Sequence, residues 1–170
     1  MVHSNSLFSC AVLGAAAQSA VPDGYELRPL ELTDFRKGYI DCLANLTVVG
    51  DVTEQLFAES FEEMQRAGGY FVVVIEDLAS QRIVATGTLV VEQKFLRMCG
   101  RVGHIEDIVV AEGQEGKRFG KTIVTRLLHI AETLGCYKSI LDCAEDNVPF
   151  YEKCGLTRKA VQMALYAPNK

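Results

Sequence analysis

Two carboxylates stand side by side, Glu106 and Asp107, inside the apolar run Gly103-His104-Ile105-Glu106-Asp107-Ile108-Val109-Val110. An ionised carboxylate is costly to desolvate without a partner. Adjacent strand residues point to opposite faces, so at least one of the pair is expected against a covered side. A group held that way can take a proton from an amine or hydrogen-bond a polar substrate; the plainer reading leaves both in solvent near a strand end. A polar turn follows, Ala111-Glu112-Gly113-Gln114-Glu115-Gly116-Lys117-Arg118-Phe119-Gly120-Lys121, and runs into a helical pattern. Unpaired N–H groups, three basic side chains and the positive end of a helix dipole make it an anion cradle. Its bland alternative is an ordinary strand-to-helix connection with solvated Lys and Arg. Farther on, Asp142 closes an apolar run and precedes Asn147, Phe150, Tyr151 and Lys153. A tyrosine so placed can donate a proton to a leaving group, although Phe150 and Tyr151 taken alone read as packing residues.

Other chemistries fit less well. Gly120-Lys121-Thr122 ends like a P-loop, but that motif needs glycine where the chain has Glu115. His104 and His129 have no ligand or nucleophile partner at recognisable spacing and read as structural. Cys143 lacks a nearby histidine in sequence and reads as no nucleophile. The six cysteines include no CxxC and no Cys/His cluster, so no metal site is expected. Free, buried thiols in the cytoplasm or another reducing compartment are the expectation instead.

These groups need a scaffold. A chain of 170 residues, 49% apolar and 23% charged, suits one domain with a sizeable core. A net charge of −5 disfavours a nucleic-acid partner, and no apolar run reaches a membrane span. Residues 1–21 form a leader, expected to be flexible or loosely docked. A targeting role for it stays open: Ala17-Gln18-Ser19-Ala20 faintly resembles a cleavage site, but no basic residue precedes it. The domain proper spans 22–170. Residues 24–30 alternate and stop at proline, which predicts an edge strand. Helical spacing follows behind Thr33-Asp34 (Phe35, Tyr39, Cys42, Leu43, Leu46) and again from Thr53 to Gly68-Gly69. Residues 70–75 form a continuous apolar run, a central strand, and 82–92 the other arm of a hairpin. A basic connection, 93–101, leads to the Gly103 strand. Next come a helix closed by Gly135, a strand over 137–142, a short helix over 147–153, and a last strand marked by Val161, Met163 and Leu165. The architecture predicted is α/β: one mixed sheet with helices on both faces.

Together the Gly103–Val110 strand, Gly135-Cys136-Tyr137-Lys138, Leu141-Asp142-Cys143 and Asn147-Val148-Pro149-Phe150-Tyr151-Glu152-Lys153-Cys154-Gly155 resemble the GCN5-related N-acetyltransferase (GNAT) superfamily. Within it the resemblance is to the glucosamine 6-phosphate N-acetyltransferase family, which Leu46-Thr47-Val48-Val49-Gly50 and Val91-Glu92-Gln93-Lys94-Phe95 also match. It implies a mostly antiparallel, twisted central sheet with splayed strands. It implies acetyl-CoA as co-substrate, held by Ile108, Val109, Val110, Glu115, Gly116, Lys117, Arg118, Phe119, Gly120, Lys121, Asn147, Phe150, Tyr151 and Lys153. The N–H of Ile108 would stabilise an oxyanion. Thr47, Lys94, Phe95, Leu96, Arg97, Glu106, Asp107 and Asp142 would surround a sugar phosphate. Asp142, its carbonyl, or Glu106 through water would accept the amine's proton, and Tyr151 would meet the departing thiolate. The resemblance further implies direct transfer to glucosamine 6-phosphate and a homodimer built through the terminal strand. Three features depart from the family pattern: the turn carries Glu115 and Arg118 where Arg or Gln and Gly are usual, Tyr166 replaces a basic residue, and the leader before Pro22 matches no family segment. Acetylation of another small amine, or acyl-CoA binding without turnover, are the competing functions.

Overall fold

The computed structural model describes residues 5–15 and 17–167; the rest of the expected leader, 1–4 and 16, lies outside them. Five strands form one sheet in the order β1 (Tyr25–Pro29), β2 (Tyr70–Asp77), β3 (Arg82–Gln93), β4 (Arg101–Val110) and β5 (Cys136–Ile140). Neighbours run antiparallel except β4 and β5, which are parallel and joined through helix α4 (Phe119–Thr133). β2 reads as unbroken apolar sequence because both its faces are covered. Phe71, Val73 and Ile75 pack with Ile123, Leu127 and Ile130 of α4. Val72 and Val74 pack on the opposite face with Tyr39 and Cys42 of α1 (Tyr39–Leu43) and Phe57 and Phe61 of α2 (Glu54–Ala67). Thr53 caps α2 through its hydroxyl, and Gly68 closes it in the left-handed region.

Several sequence expectations change in three dimensions. The helix behind Asp34 is broken: Leu32–Phe35 is a 3-10 turn, and Gly38 at φ +76° separates it from α1. Asp34 is drawn into the core by Arg28 (2.8 and 2.7 Å) and accepts from the Glu31 amide, so it fixes a turn rather than starting a long helix. The basic connection tightens into α3 (Leu96–Cys99), whose residues Arg97, Met98 and Cys99 take left-handed φ values and turn the hairpin over.

The leader is docked. Leu7, Leu13 and Ala17 are buried. Burial of each leucine is worth about 2 kcal/mol, against about 1–2 kcal/mol to order each residue, so apolar contact alone cannot hold the segment. Hydrogen bonds add to it: Leu7 N–H to the Leu30 carbonyl, Leu32 N–H to the Asn5 carbonyl, and Gln18 spanning Tyr25 and Leu27. Arg126 of α4 donates to the Leu13 carbonyl. The leader thus extends the edge at β1 and straps α4.

The expected terminal strand is absent. Residues 156–167 have no regular structure, and Val161, Met163 and Leu165 are 84–98% exposed. Alternation makes a strand only when a neighbour accepts its ladder, and this segment pairs with no strand among the described residues. Nor are the thiols uniformly buried: Cys42 is buried, while Cys10, Cys99 and Cys143 are exposed. Among the described residues no helix is long and apolar enough to cross a membrane.

Candidate active site

A break in β4 creates the site. Pairing with β3 shifts register between Thr86 and Thr88, and Asp107 takes φ +54°, so β4 carries a bulge. The bulge reverses the faces: Ile105 lies in the α4-side core, yet Val109, four residues on, lies in the opposite one. Gly87 sits across from it, where a Cβ would come within 2.5 Å of Ile108 and Ile123. On its other side β4 pairs with β5 only as far as His104 opposite Ile140. Beyond that point the two parallel strands part. Asp107 and Ile108 therefore lie in the bulge and beyond the last β5 partner, so the β5-side edge of β4 is open there.

The wedge opens into a cleft of about 860 Å³, lined by Ile108, Val109, Val110, Gln114, Glu115, Gly116, Arg118, Phe119, Gly120, Lys121, Asn147, Phe150, Tyr151 and Lys153. The last three belong to, or just follow, α5 (Val148–Glu152). Gly113, Gly116 and Arg118 all have positive φ, which curls the turn onto the N-terminus of α4. No side chain caps that helix end, so its first amides and dipole face the cleft. A Cβ on Gly120 would lie 3.4 Å from the Phe150 ring, a measure of how closely α4 and α5 approach.

The structure sorts the expected residues. Thirteen of the fourteen coenzyme candidates line this one cleft, and Gln114 joins them. Lys117 does not: its ammonium is held by the Tyr25 hydroxyl (2.7 Å) and Gln114 (2.6 Å), over the Tyr25 and Phe119 rings. Glu115 accepts from the Gly113 amide, so the acidic residue in the turn is absorbed by the turn itself. Thr122 donates to the Ala20 carbonyl, away from the cleft, which does not suit the P-loop reading.

Tyr151 is half-buried, edge-on to Phe150, and burial followed by its neighbours Cys143 and Cys154 pushes its hydroxyl pKa up. It stays protonated near neutrality and can donate. Glu106 and Asp107 are both exposed, contrary to the expectation that one is covered, because the bulge turns Asp107 out of alternation. Glu106 nonetheless has its carboxyl pKa raised, first by local desolvation, then by the charges of Asp142 and Asp107. Asp142 accepts from Gln162 (2.6 Å). Thr47 is exposed in a loop tied to the turn by Asn45, which accepts from the Glu112 amide.

Lys94, Phe95, Leu96 and Arg97 are not brought to the cleft. They sit at the far tip of the β3–β4 hairpin, beyond Arg101 and five residues from Glu106, or roughly 17 Å of strand. Phe95 is 96% exposed, Arg97 lies over the Tyr137 ring, and Lys94 is paired with Glu92.

Comparison with known proteins decides the class. The acetyltransferase (GNAT) family model matches residues 26–156. This chain belongs to that family. Its fold is the GNAT fold. Among relatives, glucosamine 6-phosphate N-acetyltransferase from Arabidopsis thaliana is 48% identical over 143 residues, 84% of this chain and 96% of that one. Glucosamine 6-phosphate N-acetyltransferase 1 from Dictyostelium discoideum is 48% identical over 152 residues, 89% and 96% of the two chains. The crystal structure of the Arabidopsis thaliana enzyme superposes with a TM-score of 0.82 at 47% identity, covering 84% of this chain and 97% of that one.

Two features of this GNAT site escaped the sequence reading. Gln114 stood inside the turn already singled out and was passed over for its charged neighbours. His104 has a partner after all, Glu92, whose carboxylate lies 3.0 Å from Nε2. They are twelve residues apart, and only the hairpin register could have paired them.

Proposed function

We propose that this protein transfers the acetyl group of acetyl-CoA to the 2-amino group of D-glucosamine 6-phosphate by direct attack within a ternary complex. The observation that carries the reading is the wedge, where the unpartnered stretch of β4 faces an uncapped helix N-terminus and a protonated tyrosine. The α4 amides, with Arg118, Lys121 and Lys153, suit the coenzyme's phosphates; backbone groups of Ile108 and Val110 suit its amide-bearing arm. When bound, the coenzyme supplies the activated acyl group. The chain's part is positional and electrostatic: the Ile108 N–H stabilises the developing oxyanion, and Tyr151 donates to the departing sulfur. Glu106 or Asp142 takes the ammonium proton, for an ammonium has no lone pair with which to attack.

The substrate assignment draws on the names of the relatives and on the carboxylates at the acceptor side of the wedge. A homodimer completes it. The unpaired segment 156–167 has alternating apolar residues suited to exchange between subunits, and a partner's hairpin tip would supply the basic residues Lys94 and Arg97 that one protomer holds too far away. A reducing compartment is the setting proposed for the chain's three exposed thiols.

Thiol release from acetyl-CoA tests the substrate. Charge-assisted phosphate contacts are worth about 1.5–3 kcal/mol. The expected result is glucosamine 6-phosphate turning over at least tenfold faster, in kcat/KM, than glucosamine or a histone-tail lysine peptide. Comparable rates on all three would assign the site to amines in general, and coenzyme binding without thiol release would make it a binding module.

A further inference from the structure

The acetyl-transfer reading leaves one proton without a route. A substrate bound as R–NH3⁺ loses two protons on becoming R–NH–acetyl. One ends on the thiol of coenzyme A as the carbon–sulfur bond breaks and the carbon–nitrogen bond forms. The other must leave the site, once per turnover.

The sheet face around Glu106 offers an exit. His104, Glu106, Ile140 and, beyond the end of β5, Asp142 follow one another on the face that α1 and α2 cover only over β2 and β3. His104 and Glu106 are two residues apart on this face, about 6.6 Å along the strand, a span that side chains or one water bridge. His104 is anchored: its Nε2 lies 3.0 Å from Oε2 of Glu92, and the other oxygen of Glu92 is held by Lys94. A carboxylate only accepts, so Nε2 carries the hydrogen, and in the neutral imidazole Nδ1 keeps its lone pair. No protein partner for Nδ1 is found among the described residues. The imidazole side chain is 32% exposed, open to water.

We propose that His104, oriented by Glu92, accepts the amine's proton from Glu106 and passes it to solvent. Glu106 takes the proton from the ammonium and is briefly a neutral acid. It then hands the proton to Nδ1, and the resulting imidazolium, steadied by the Glu92 carboxylate, releases it to water. A base oriented by a third group is the arrangement that makes such transfers efficient. The charged groups facing His104 are Glu92 and Lys94 from the β3 side, Glu106 on its own strand, and Asp142 and Lys138 from the β5 side. The raised pKa of the Glu106 carboxyl, opposed in part by His104, fits a group that receives a proton and gives it up again.

This inference rests on the acetyl-transfer reading, and the experiment separates the two. Wild-type thiol release is first measured with glucosamine 6-phosphate and a panel of small amines, and the relay is then tested with the amine that turns over. Loss of every amine's turnover in the wild type would sink both. For His104→Gln, kcat is expected to fall about 10- to 100-fold near neutral pH, with KM for both substrates within threefold. The deficit should shrink as pH rises and the amine arrives already neutral, and added imidazole should restore rate. Glu92→Gln, which keeps the imidazole, should show a smaller loss with the same pH trend. It also serves as the test if His104→Gln does not fold. A deficit equal at all pH values and deaf to imidazole, or no deficit, would make the pair a hairpin brace and overturn the relay.

Discussion

Acidic side chains are placed in opposite ways at the two ends of the sheet. At the β1 end, Asp34 of the 3-10 turn and Glu76 of β2 are buried and saturated with cations: Arg28 reaches Asp34 at 2.7 and 2.8 Å and Glu76 at 2.5 Å, and Lys37 adds two 2.8 Å bonds to Glu76. In the wedge, Glu106 and Asp107 meet no salt bridge among the described residues, and Glu106 faces other carboxylates. The first arrangement holds the fold, the second destabilises it locally, and only the second can exchange protons with a substrate. Neutral partners would do neither job as well. The contrast separates charge used as a fastening from charge kept for chemistry.

The sharpest way to break that comparison is Arg28→Met, which takes the guanidinium from buried Asp34 and leaves Glu76 with Lys37 alone. A loss of about 3–5 kcal/mol is expected from the denaturant midpoint. Burial alone would lower the guanidinium's pKa; the bonds to Asp34 and Glu76 more than reverse this and raise it. A change below about 1 kcal/mol would mean that the network holds little. Next in size is Tyr151→Phe. It should lower kcat about a hundredfold while the dissociation constant for coenzyme A, read by calorimetry, moves less than threefold. Unchanged turnover would remove the tyrosine from the chemistry and leave it as a wall of the cleft.

Most of the scaffold and nearly all of the cleft's lining were legible in the sequence, because both rest on local signals. Apolar runs, capping residues such as Thr53, and a glycine-bearing turn before a helix are read within a dozen residues. Features set by pairing across strands were not. The bulge at Asp107 depends on Gly87 of the neighbouring strand, and without it the two carboxylates read as lying on opposite faces. The partnership of His104 with Glu92 needs the hairpin register. Asp34 looked like a helix start because its ion pair with Arg28, six residues earlier in β1, leaves no mark in the helical spacing. The terminal alternation at Val161, Met163 and Leu165 was legible as a strand but not as one lacking a neighbour in its own chain.

The smallest effect sharpens the comparison most. In Glu76 burial pushes the carboxyl up, but hydrogen bonds from Lys37 and Arg28 outweigh it, so the folded pKa is lowered. Its stabilisation is present above the ordinary carboxylate range and is lost as pH falls through the depressed value. In Glu106 the folded pKa is raised, by desolvation and then by Asp142 and Asp107. Its charged form is the less stable one, so a penalty sets in as pH rises through the ordinary value and is complete above the raised one. Removing the charge with Glu106→Gln should therefore increase the melting temperature at pH 7, by about 2 °C, with the gain vanishing below the ordinary carboxylate range. The same variant should lose turnover. If Glu106→Gln lowered the melting temperature at pH 7, the wedge carboxylate would be a fastening like Glu76, and the division between the two ends of the sheet would fail.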